Sequence, residues 1–424
     1  MAAGEPATSL TAAARAAADA SLAAVDADLA RRYPGDPTGR QPVHTVYVPA
    51  DRFAQDTVPA WGQAARALLA EHAPDAPAFA AALGLPRALA GPVYDRVLAK
   101  LGREPVEDLR VDFEDGYGTR PDAEEDADAA RAARLLARAR ADGVAPPFAG
   151  LRVKSLEAPA RARGIRTLDV FLTALADAGP PPPGLRITLP KAGYPEQVAV
   201  MARLCEEFER AFALPRGRLA FEIQIETTQA VLGADGRATV ARMIDAAEGR
   251  LVALHYGTFD YSAACGVGAA HQSPDHPVAD HAKAVMQAAA AGRGVQLSDG
   301  STNVLPVGST QQVHRAWRAH HGLVRRALAR AYYQGWDMHP GHLPTRYAAV
   351  YGYYREGLPE AAERLAAYAG GTASGVLDEP ATARALSGFL LRGLDCGALD
   401  AAEVTGPTGL TRTRLHALAG RRDP

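Results

Sequence analysis

Eight short apolar runs rich in β-branched and aromatic residues punctuate the chain, most of them closing on a polar or charged residue. They cover residues 44–48 (HTVYV), 109–114 (LRVDFE), 150–154 (GLRVK), 185–189 (LRITL), 219–226 (LAFEIQIE), 251–256 (LVALHY), 295–297 (VQL) and 335–338 (GWDM). Ala- and Leu-rich stretches with helical spacing lie between them, over 123–141, 167–178, 195–211, 240–248, 280–291 and 312–332. Strand–helix alternation carried through eight units predicts a parallel TIM (β/α)8 barrel of the α/β class. A doubly wound open sheet is the structural alternative. The third, fourth, seventh and eighth runs are weak by themselves, and the eighth puts Trp and Asp where β-branched residues are expected.

Two departures modify the barrel. About 60 residues separate the first two runs, far more than an ordinary connection, and residues 61–83 read as helix, so a helical cap is expected as an insertion. A mostly helical tail follows Pro340, with the stretch 370–375 (GGTASG) as a flexible break. The expected organisation is a helical segment over 1–42, a barrel over 43–347 carrying the insertion 54–107, and a helical extension over 348–424. The stretch 179–184 (GPPPPG) is a stiff spacer.

The 424 residues are 48% hydrophobic and 22% charged, which is ordinary for a folded chain able to bury a large core. A net charge of −2 argues against a nucleic-acid or anionic-membrane partner. Cys205, Cys265 and Cys396 are an odd, scattered set, suited to a reducing compartment and to no CxxC metal pair. The first residues carry Glu5, Asp19, Asp26 and Asp28, unlike a signal or transit peptide, so a cytoplasmic location is expected.

A barrel carries its chemistry at the carboxyl ends of its strands, so the polar residues there are the candidates. On the fifth run, alternation puts Glu222, Gln224 and Glu226 on one face and Ile223 and Ile225 on the other. A buried row of acids is costly unless paired or bound to a metal. Glu226, with Asp260 at the end of the next run, makes a typical magnesium pair, because that ion keeps much of its water; two surface-loop acids are the plainer reading. Arg152 has the planar fork to clamp a substrate carboxylate, or to bridge to Glu114 or Glu226 inside the barrel. Asp112, Glu114 and Asp115 crowd three acids together, which raises at least one pKa and suits a general acid or base, or else forms a helix-capping turn. His339 reads as an anchor of the last strand through a backbone hydrogen bond. His255 and His271 read as ordinary polar positions, and Trp336 and the cluster 347–354 (YAAVYGYY) as packing or a subunit contact.

These run ends resemble the superfamily of citrate lyase β-subunits, malyl-CoA lyases and 2-keto-3-hydroxy-acid aldolases. The resemblance is carried by VYVPADR (46–52), VDFEDG (111–116), LRVK (151–154), LPK (189–191), IET (225–227), YGTFDYSAACG (256–266) and GWDMHP (335–340), in order, over roughly residues 43–347. No single match is specific; seven in order are. Lys154 stands where the family usually has Asn. The resemblance implies that Glu226 and Asp260 hold magnesium, or manganese in its place, and that Arg152 binds a substrate carboxylate or enolate oxygen. It makes Asp115, with Glu114, the candidate acid–base group. Arg52 becomes a secondary substrate or phosphate contact, and Lys191 a supporting charge at the substrate.

The implied activity is metal-dependent cleavage or formation of a carbon–carbon bond through an enolate of a 2-keto or hydroxy carboxylic acid. A Schiff-base role for Lys154 or Lys191 needs an unpaired, desolvated amine, which the neighbouring acids oppose. A CoA-thioester lyase is the alternative, although Arg161, Arg163 and Arg166 read as a solvated face rather than a CoA phosphate contact. A phosphoenolpyruvate enzyme and a non-catalytic barrel are further rivals; no P-loop occurs. A homo-oligomer is expected from the resemblance alone.

Overall fold

The computed structural model describes residues 8–370 and 379–421, so the break expected over 370–375 lies, beyond Gly370, outside the described residues. Strands β1 (Thr45–Pro49), β2 (Asp108–Asp112), β3 (Phe148–Arg152), β4 (Leu185–Leu189), β5 (Ala220–Ile225), β6 (Leu251–Tyr256), β7 (Gln296–Asp299) and β8 (Gln334–Asp337) form one closed barrel in chain order. All neighbouring pairs are parallel, and β8 returns to β1. The open-sheet alternative is thereby excluded.

Helices α1 (Ala12–Arg32), α2 (Thr57–His72), α3 (Ala76–Leu83) and α4 (Ala90–Arg103) flank β1 in sequence. Helices α5 (Asp122–Ala141), α6 (Arg161–Asp177), α7 (Pro195–Ala211), α8 (Thr228–Val231), α9 (Thr239–Ala246), α10 (Thr258–Ala264), α11 (Pro277–Ala290) and α12 (Thr310–Ala329) follow β2 to β7. Helix α13 (Leu343–Gly370) follows β8 and runs unbroken through the boundary expected at residue 347; α14 (Pro380–Asp395), α15 (Ala401–Thr408) and α16 (Arg412–Ala419) complete the chain. No helix of the described residues is long and apolar enough to cross a membrane.

Strand alternation explains the layers. Val46, Val111, Leu151, Ile187, Phe221, Ile223 and Leu254 join one buried core with the outer helices. The opposite faces fill the lumen with charge. Arg110 on β2 reaches Glu222 on β5 at 2.6 Å and Thr188 on β4 at 2.9 Å, and since β2 and β5 are not neighbours these bonds cross the barrel. His255 on β6 lies 3.1 Å from Glu222. Such buried charges are tolerable because each has its partner.

The inserted helices sit on the flank. His72 Nδ1 lies 3.0 Å from Thr310 Oγ1, and Arg318 donates to Ala82 O, so α2 and α3 lie along α12. Helix α4 takes the place of the barrel's first outer helix, burying Val93, Val97 and Leu101. The polar eighth strand also has a cause. Buried Asp337 accepts from Arg346 and pairs with His44 and His320, tying the last strand to the first and to α12 and α13. Tyr347, Tyr351 and Tyr354 are fully buried, which makes that cluster packing within the chain.

Candidate active site at the carboxyl ends of the strands

Lys191 leaves β4 in the left-handed region (φ 51°), a conformation that costs a non-glycine residue about 1 kcal/mol or more. That turn aims two groups inward. The backbone N–H donates to Glu226 Oε1 at 2.7 Å. The ammonium bonds to Glu114 and lies 3.2 Å from Asp115 and 3.5 Å from Asp260. Four carboxylates from the ends of β2, β5 and β6 therefore converge on one lysine.

Beside them Arg152, 2% exposed, lays its fork on Asp112: Nε to Oδ1 at 2.7 Å and one terminal nitrogen to Oδ2 at 2.8 Å. The other terminal nitrogen faces Glu114 at 3.2 Å and Gln224 at 3.4 Å. The Tyr47 and Trp336 rings cover the guanidinium at 4.8 and 5.4 Å. The fork expected either to clamp a substrate or to bridge to Glu114 is thus engaged by Asp112 on one side and by Glu114 and Gln224 on the other. Asp112 was visible only as one of three crowded acids; its alternation with Asp108 and Arg110, all inward-facing, was the usable signal.

The acids titrate differently. Burial pushes Glu226 up to about 7; the charges of Lys191 and Arg152 oppose this, and those of Glu114 and Asp260 add to it. Burial also raises Glu114, against the attraction of Arg152. For Asp115 burial is outweighed by hydrogen bonding with Glu114 and by the Lys191 charge, and its carboxyl falls below the ordinary range. A proton therefore resides more readily on Glu114 or Glu226 than on Asp115.

The structure brings Glu114, Asp115, Arg152, Lys191, Glu226 and Asp260 together. Arg52 is exposed beyond β1, and its side chain pairs with none of the described residues. Lys154 turns away, bonded to Glu125 and Phe113 O at 2.7 Å, and Lys191 is held by acids, so neither is a free amine. His339 accepts from Gly341 N at 3.0 Å, a local backbone bond that caps the turn after β8. Arg163 and Arg166 bind Asp126 of α5, which accounts for that basic face.

The acid cluster suits a divalent cation. Glu226 is 4% exposed, its second oxygen lies against Gly257, and three further carboxylates face the Lys191 ammonium. Gly257 is required there, since a Cβ would lie 2.5 Å from Glu226 Cβ and Oε2. A second cluster, His320, Asp337 and His342, has ligand atoms within 4.8 Å of one another. Asp337 there already carries Arg346, and both His320 ring nitrogens are bonded, to Asp337 and Thr345, so a cation would have to displace a guanidinium.

A family profile described as "Domain of unknown function (DUF6986)" matches residues 22–423. No curated protein matches the chain. Among solved structures, the Haloferax volcanii malate synthase lead(II) complex is 15% identical over 73% of this chain and 72% of that one, with a TM-score of 0.49. The M. tuberculosis citrate lyase beta subunit complexed with oxaloacetate and magnesium is 18% identical over 74% and 97%, TM-score 0.42. The CitE protein of Mycobacterium tuberculosis in complex with magnesium, acetoacetate and coenzyme A is 18% identical over 85% and 99%, TM-score 0.49.

Proposed function

The chain belongs to the DUF6986 family, and we propose that it is a magnesium-dependent carbon–carbon lyase acting on a 2-keto or hydroxy carboxylic acid. The observation that carries this reading is Glu226, a buried carboxylate at the barrel mouth, pushed up to about 7 and surrounded by further acids. Such a group is neutralised by a proton or by a cation. The ordered motifs resembling the citrate lyase β-subunit and aldolase superfamily supply the reaction class.

Glu226 and Asp260 would hold the ion, with Glu114 and Asp115 as outer acids. Bound there, magnesium would supply Lewis-acid stabilisation of charge developing on the substrate's carboxylate and keto oxygens. Arg152 adds a fixed positive charge beside that point, held rigid by Asp112, Tyr47 and Trp336 and facing Glu114. Glu114, raised by burial, is the proton carrier, and Asp115 is its charged neighbour. Lys191 positions Glu226 through its backbone and the outer acids through its ammonium.

The test is pyruvate release from a panel of 4-hydroxy-2-keto acids, with and without EDTA, comparing wild type with Glu226→Gln. Magnesium-dependent release lost in the variant supports the reading. Turnover of malyl-CoA or citramalyl-CoA alone would replace it with a CoA-thioester lyase. Assembly with copies of itself is part of the proposal: α1 has no buried residue and exposes Leu22, Val25 and Leu29 in one row.

A further inference from the structure

At the opposite end of the barrel, below the amino ends of β7, β8 and β1, a cavity of about 300 Å³ separates the barrel floor from the C-terminal helices. Its wall includes Gly292 and Gly294, both left-handed (φ 73° and 72°), and Gly35 N donates to Gly292 O at 2.9 Å. This glycine turn leaves one side of the cavity free of side chains. The other side carries Arg392 of α14 and Arg421, just beyond α16.

The Arg421 side chain is 6% exposed, yet its one side-chain bond among the described residues is from a terminal nitrogen to Asp395 at 3.2 Å. Asp395 is shared, because Arg412 bonds to its other oxygen. Arg392 stacks 4.2 Å over Tyr333, and the acid paired with it is Asp36, at 3.4 Å and half exposed. Burial and the like charge of Arg392 hold Arg421 below its ordinary value, against the pull of Asp395. Two guanidiniums thus share a cavity whose buried acid is already claimed twice. A buried fork with most of its N–H groups uncommitted is a bidentate receptor for a carboxylate or phosphate. The cavity is at the lower end of the size range of small-molecule sites.

We propose that this cavity is a second ligand site that binds a small organic oxyanion, a carboxylate or a phosphate ester, between Arg421 and Arg392. Its carbon skeleton lies against Tyr333 and Val295, and bound there it bridges the barrel floor to α14 and the chain beyond α16. The site is independent of the chemistry proposed for the mouth and needs no metal.

The test is isothermal titration of the full chain in EDTA with malate, citrate, glycerol 3-phosphate and inorganic phosphate. The expected result is one saturable equivalent for at least one probe, retained in Glu226→Gln and weakened at least tenfold in Arg421→Gln and in Arg392→Gln. Carboxylate and phosphate probes separate the two chemistries. Arg421→Gln also removes an anchor of the C-terminal segment, so Arg392→Gln and Tyr333→Leu, with thermal melts as a control, carry the decision by themselves. Absence of saturable binding to every probe, or an affinity unchanged in Arg392→Gln, overturns the proposal.

Discussion

Replacing Glu226 by Gln in the metal-free protein separates the cost of an uncompensated buried acid from its use. In the folded chain Glu226 holds its proton to about pH 7, whereas an unfolded glutamate releases it near 4.5. Between these values folding takes up a proton, so stability falls as pH rises through the window. The penalty is absent below the lower value and complete above the upper one. The shift corresponds to about 3 kcal/mol, with a steepest slope of about 1.4 kcal/mol per pH unit. Gln keeps an acceptor for the Lys191 N–H and carries no charge.

The expected outcome in EDTA is a Glu226→Gln protein about 2–3 kcal/mol more stable than wild type at about pH 8 and nearly equal to it at about pH 5. Urea unfolding across that range, read by far-UV circular dichroism, measures both. Magnesium closes the gap: at 100 times its Kd it stabilises the wild type by about 2.7 kcal/mol and leaves the variant almost unmoved. A variant no more stable than wild type at the alkaline end, or an advantage that does not change with pH, refutes the reasoning.

Asp112→Ala strands the Arg152 guanidinium and costs about 3–5 kcal/mol in urea unfolding, whereas pairing it with Arg152→Met recovers part of the loss. Lys191→Met removes the ammonium among Glu114, Asp115 and Asp260; it tightens manganese binding several-fold, read by electron paramagnetic resonance, and lowers turnover. Gly257→Ala drives a methyl into Glu226, costs about 1–3 kcal/mol, and weakens metal binding while the circular dichroism spectrum stays that of the barrel. Charging the exposed row of α1 with Leu22→Glu and Leu29→Glu lowers the mass measured by light scattering and leaves the melting temperature within about 2 °C.

The barrel was legible because its evidence is local. Apolar runs alternate with helical spacing, and all eight strands fall within two residues of their expected bounds. Even the weak eighth run formed, but its reason was not local. Asp337 is stabilised by Arg346 and His320 on the flanking helices and by His44, 293 residues earlier, so no short window of sequence contains the whole compensation. The acids of the mouth were legible as types at strand ends. Their division of labour was not, because it depends on Lys191 adopting a left-handed turn and on the Arg152 fork being spent on Asp112. The inserted helices were legible as helices, yet their place beside α12 follows from contacts such as His72 with Thr310.

Both ends of the barrel leave charge unmatched, with opposite signs. Within the lumen the fully buried arginines meet their counterparts: Arg110 with Asp108 and Glu222, Arg152 with Asp112. At the carboxyl ends four acids gather on Lys191, and at the amino ends Arg421 shares Asp395 with Arg412 while Arg392 is paired with the half-exposed Asp36. Exposed imbalance costs little, but a nearly buried imbalance costs stability at every pH at which the group is ionised. Glu226, at 4% exposure, and the Arg421 side chain, at 6%, are such groups. The carboxyl-end imbalance calls for a cation and the amino-end imbalance for an anion. Magnesium titrated with the amino-end cavity mutated, and an oxyanion titrated with Glu226 mutated, should therefore each behave as in the wild type.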